Sequence, residues 1–88
     1  MTMWGMDISE VENLVHTMNS KAQEIEQIIS QLTSQLDSAR WVGPDRDNFV
    51  NEWQSSHVPA LRNVVNGLHD AAQRAQGNVT AQREASQA

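Results

Sequence analysis

The residues of this 88-residue chain whose types and spacing most invite chemistry are its three histidines and eleven carboxylates; it contains neither cysteine nor tyrosine. His16 follows Glu12 by about one helical turn, which puts both on a similar helix face at a spacing that could hold a metal ion. No second ligand pair accompanies them, and a solvated ion pair is the simpler reading. His57 falls near the centre of the apolar face of the second helix described below. There it reads either as a buried, hydrogen-bonded histidine or as a pH-sensitive contact between chains. His69 and Asp70 are neighbours that point in different directions on a helix. The sequence holds no nucleophile elbow, glycine-rich phosphate loop or paired-carboxylate cleft, and a helical hairpin offers little concavity for one. The expectation is a non-enzyme with no metal and no cofactor.

The elements that carry these residues are two long amphipathic helices. Asp7 is a good N-cap with Glu10 three residues later, and Met6 with Val11 can form a hydrophobic staple across the helix start. From there Ile8, Val11, Val15, Met18, Ala22, Ile25, Ile29, Leu32, Leu36 and Ala39 alternate in steps of three and four, filling both seam positions of a heptad. Leu14 and Ile28 lie beside the seam at the g position and widen it beyond what one facing helix covers, so a second contact surface is expected. At about 1.5 Å per residue this helix, about residues 8–40, is nearly 50 Å long.

The stretch Trp41-Val42-Gly43-Pro44 ends it and reverses the chain. Pro44 suits the first position of a new helix and Gly43 the irregular backbone that precedes it. Asp45 and Asp47 then face the positive end of that helix dipole, while Arg40 suits the negative end of the helix before. The second helix, about residues 44–76, gathers Phe49, Trp53, Ala60, Leu61, Val64, Val65, Leu68, Ala71, Ala72, Ala75 and Val79 within one face. Pro59 lies inside it, pointing away from that face, and predicts a bend around the packing partner. Gly77-Asn78 weakens the helix, and residues 77–88 are expected to fray. Trp4, ahead of the first cap, could fold over the end of the helices, meet a partner or stay mobile. Trp41 could plug the open end of the helices or join an exposed docking surface.

One domain is the upper bound at this length, and a chain this short buries only about 60% of its unfolded surface, so it is expected to lean on a partner. The formal net charge is −5, which disfavours nucleic acid. No stretch approaches the ~18 apolar residues of a membrane span, and the first residues carry neither a basic nor an apolar leader segment, so a chain without membrane insertion or a Sec-type signal is expected. The fold class is all-α: an antiparallel helical hairpin that pairs with another hairpin into a four-helix bundle. Its core and dimer stripe comprises Ile8, Val11, Leu14, Val15, Met18, Ile25, Ile28, Ile29, Leu32 and Leu36 on the first helix, with Phe49, Trp53, Leu61, Val64, Val65 and Leu68 on the second.

With Trp41, Gly43 and Pro44 in the turn between two long helices, and with the run WVGPDRDNFVNEW, the whole chain resembles the WXG family of small type VII (ESX) secretion substrates. The resemblance implies a homo- or heterodimeric helical bundle, made in the cytoplasm and secreted folded by a membrane ATPase. It also implies a C-terminal Tyr-x-x-x-Asp/Glu signal read beside the Trp-x-Gly turn. Here the nearest match is Thr80 with Glu84, which lacks the aromatic, so a heterodimer whose partner supplies the signal is the favoured form and a homodimer the other. The function expected from the resemblance is that of a type VII substrate or dimeric partner protein. The alternative is a cytoplasmic helical adaptor or chaperone that pairs with the helical region of a larger toxin or effector.

Overall fold

Asp7 opens the first helix from the position its side chain suits. In the computed structural model, which describes residues 5–87, its Oδ1 accepts from the Glu10 backbone N–H at 3.1 Å. That fills one of the donors a helix N-terminus leaves without partners. The helix, α1, runs Ile8–Ser38 unbroken, as 31 residues with neither Gly nor Pro allow. Met6 and Val11, the expected staple pair, are both half-buried. Trp4 lies outside the described residues.

The reversal is built from backbone bonds and one glycine. Ala39 N–H donates to Gln35 O at 2.9 Å and Trp41 N–H to Ala39 O at 3.0 Å. Gly43 then takes φ +137°, a region that side chains rarely tolerate, and Pro44 is the first residue of α2, Pro44–Glu52. The cation at the end of α1 is not the expected Arg40, which is exposed. Arg46 reaches back from α2 instead, its Nη2 donating to Leu36 O at 3.4 Å. A charge acts on the helix terminus only within the last turn, and the chain has left α1 before Arg40 is reached.

The second arm bends where the backbone ladder slackens. After α2 comes a π turn, Trp53–His57, in which Val58 N–H donates to Trp53 O, and then α3, Val58–Gln87. Pro59 has no N–H to give to Ser55, so the irregular turn lies just ahead of it. Its ring is exposed, on the outer face as expected. The arm does not stop near residue 76. It stays helical through Gln87, and Val79 beyond the weak Gly77-Asn78 pair is 0% exposed. A glycine costs a helix about 1 kcal/mol relative to alanine, and burying a valine returns at least that.

The described residues contain helices and no strand: one long helix and one bent helical arm, lying antiparallel. The shape is a rod of 66 × 17 × 14 Å with a radius of gyration of 19.4 Å, against about 12 Å for a compact chain of this length. Its core is a single file: Ala22 and Ile29 from α1 meet Trp53, Val65, Ala72 and Val79 from the second arm.

Candidate interaction surface

The two edges of this file differ in chemistry. Glu12, Asn19, Glu26 and Thr33 repeat every seven residues along one edge of α1, and three of them bond across to the second arm. Arg83 Nη2 donates to Glu12 Oε1 at 2.8 Å, His69 Nδ1–H to Asn19 Oδ1 at 3.0 Å, and Trp53 Nε1–H to Thr33 Oγ1 at 2.9 Å. His69 and Arg83 occupy matching positions of the α3 heptad, as residues facing across an antiparallel pair must. This edge is closed by polar links.

The opposite edge is apolar and open. Leu14 and Ile28 from α1 are 52% and 48% exposed, and Val64 from α3 is 50% exposed. All three hold the g position of their heptads, and in an antiparallel pair the g positions of both helices flank the same side of the seam. The edge continues to the turn through Leu32 and Phe49, which line a cleft of about 270 Å³ with Gln35, Leu36, Ala39 and Trp53. Of the expected stripe, Ile29, Trp53 and Val65 are buried between the arms. Ile8, Val11, Val15, Met18, Ile25, Leu36, Leu61 and Leu68 are half-buried. Leu14, Ile28, Leu32, Phe49 and Val64 face outward.

At the turn, an aromatic column runs down the second arm. Trp41 rests on Phe49 with ring centroids 6.3 Å apart, Phe49 stacks on Trp53 at 6.4 Å, and Trp53 meets His57 at 6.3 Å, all within the range where ring pairs attract. Phe49, Trp53 and His57 are spaced by four, so one helix face presents them in order. Trp41 is 42% exposed and Val42 96% exposed, so the tip presents apolar surface outward.

Two sequence expectations, for His57 and Glu12, change here. Of the two readings of His57, burial within the hairpin does not hold: it is exposed and lies on Trp53 four residues before it. Glu12 pairs with Arg83, 71 residues away, rather than with His16, which is exposed one turn along. Thr80 and Glu84 are both exposed in a helix, and the Thr80 hydroxyl donates to Gln76 O at 3.0 Å on its own turn. Among the described residues no group of three His, Asp or Glu side chains is placed to hold a metal, and no helix is long and apolar enough to cross a membrane. The residues missed by sequence reasoning, Asn19, Thr33 and Arg46, are polar groups whose partners lie 10 to 50 positions away. A seven-residue polar repeat beside the apolar seam was the one signal for the first two. Compared with protein-family models, with curated proteins and with solved structures, the chain matches none.

Proposed function

We propose that this chain is a substrate or dimeric partner protein of a type VII (ESX) secretion system, made in the cytoplasm and exported folded as part of a helical-bundle dimer. The observation that carries the reading is the tip. Trp41-Val42-Gly43 joins two long antiparallel arms, with Val42 96% exposed and the backbone turned by the positive φ of Gly43. A recognition element at the end of a rod suits a machine that handles a folded bundle, and the open apolar edge suits a second hairpin as the pairing partner. The protein's work in this reading is association, with a hairpin partner and with the type VII ATPase. It takes no cofactor and performs no catalytic step.

The test is export itself. Intact-mass analysis of culture supernatant from the native host should find the full chain outside the cells, and deleting the membrane ATPase should remove it. A chain retained in the cells in both strains, bound to the helical region of a larger protein, overturns this reading in favour of a cytoplasmic adaptor.

A further inference from the structure

The middle of α3 carries two residues that an exposed helix does not need. Asn66 and Gly67 are both exposed, at the outward b and c positions of the α3 heptad. Both are poor helix formers, glycine the poorest after proline. A Cβ at Gly67 would meet nothing within 4 Å, so no packing contact asks for a glycine. What the pair has instead is a reaction of its own. We infer that Asn66-Gly67 is a deamidation site gated by the fold, protected while α3 is helical and consumed when the arm opens.

The reaction needs only water. The Gly67 backbone nitrogen gives up its proton and attacks Cγ of the Asn66 carboxamide; the N–Cγ bond forms, the Cγ–Nδ2 bond breaks, and ammonia leaves with that proton. Water then opens the cyclic imide. Cleavage of the N–Cγ bond gives aspartate. Cleavage at the Asn66 backbone carbonyl gives isoaspartate, whose main chain runs through Cβ and Cγ and is longer by a carbon atom. A side chain on the following residue crowds the attacking nitrogen, and Asn66 is the asparagine whose follower has none. The others precede Leu14, Ser20, Phe49, Glu52, Val64 and Val79.

The helix holds the pair in an unreactive form. Within α3, Val58–Gln87, the ladder commits the Gly67 N–H to the Asn63 carbonyl. Asn66 ψ is kept near the helical value of about −42°, which turns that nitrogen away from Cγ. Ring closure requires this turn to unwind, and unwinding draws Val65, 5% exposed, out of the core file. Loss of ammonia does not reverse, so the product records time spent open. Isoaspartate then keeps the arm open. Its added carbon falls between Val65 and Ala72, both buried, and throws Ala72, Val79 and the His69 and Arg83 links out of phase. Either product also adds a negative charge to a chain already at −5.

The full chain, aged in mildly alkaline buffer with guanidinium chloride or with equimolar sodium chloride, tests this by mass analysis of its tryptic peptide Asn63–Arg74. In denaturant, Asn66 should deamidate faster than any other asparagine. In the native buffer its rate should be at least about tenfold lower, equivalent to an opening free energy of about 1.4 kcal/mol or more. Gly67→Ala should all but abolish the reaction in denaturant while the helical circular dichroism of the native chain is retained. Asn66→Asp carries the new charge without the longer backbone, and should keep the urea midpoint close to that of the fresh chain. The isoaspartate fraction of an aged sample should unfold at a lower midpoint than both. Equal rates with and without denaturant overturn the gating, and a different asparagine leading in denaturant overturns the site. An isoaspartate chain as stable as the fresh one overturns the claim that the product holds the arm open.

Discussion

Removing the chain from Gly77 onward should cost this hairpin a large part of its stability, although composition alone marks that segment as dispensable. Val79 is 0% exposed, and burial of a valine contributes about 1.5 kcal/mol. Arg83 joins Glu12 at 2.8 Å, but the two side chains are 50% and 35% exposed, so that pair adds at most about 0.5 kcal/mol after solvent screening. The Arg83–Glu12 link also shows that this segment lies against the first turns of α1, where Ile8 and Val11 are half-buried. Uncovering them loses about another 1 kcal/mol. The total, about 3 kcal/mol, is set against a whole-chain stability of roughly 4–13 kcal/mol at this length. With a urea slope of about 1 kcal/mol per molar for so small a protein, the midpoint should fall by about 2–3 M. Urea titrations of the chains ending at residues 76 and 88, followed by circular dichroism at one protein concentration, measure this directly. Val79→Ala alone should give about half the shift. Equal midpoints for the two lengths would refute the view that α3 is a working part of the core to its end.

Three further expectations follow from single contacts. Trp53→Phe and Thr33→Val, combined in a double-mutant cycle, should show a coupling of about 0.5–1.5 kcal/mol from the Nε1–Oγ1 bond; additive effects would mean that the bond contributes nothing. Gly43→Ala meets no steric neighbour, yet the φ of +137° should cost about 1–2 kcal/mol and lower the melting temperature by about 5–15 °C; an unchanged melt would show the turn to be free to relax. In the export assay, Thr80→Tyr places an aromatic four residues ahead of Glu84 on an exposed helical surface, and should raise secretion at least about tenfold if that face is read directly; an unmoved yield would place recognition elsewhere.

What could be read from residues alone was whatever local periodicity and capping decide. The limits of α1, the Asp7 cap, the Pro44 start and the seam through Ala22 and Ile29 all depend on neighbours within one or two turns. The end of the second arm was not legible, because Gly77-Asn78 is locally weak and only contact with α1, remote in sequence, holds Val79 in place. His57 differs for another reason: it keeps the face beside Trp53 that the wheel gives it but is exposed, because a wheel fixes a direction and not how far the facing helix covers it. Arg46 rather than Arg40 at the end of α1 shows the same limit, since the choice depends on the path of the turn.

The separation of polar and apolar residues onto opposite edges explains how so thin a core can set a unique register. A seam built on a seven-residue repeat is nearly indifferent to a slip of one heptad, because seam residues meet equivalent seam residues after the slip. The polar edge is not indifferent. Sliding the arms by seven residues would part Glu12 from Arg83, Asn19 from His69 and Thr33 from Trp53 at once, leaving the half-buried Thr33 hydroxyl and the buried indole N–H without each other. Each exposed link contributes little alone, and their joint loss is what tells the registers apart. With register secured on that edge, the other is free to stay apolar, and its Leu14, Ile28 and Val64 side chains remain about half exposed in the single hairpin.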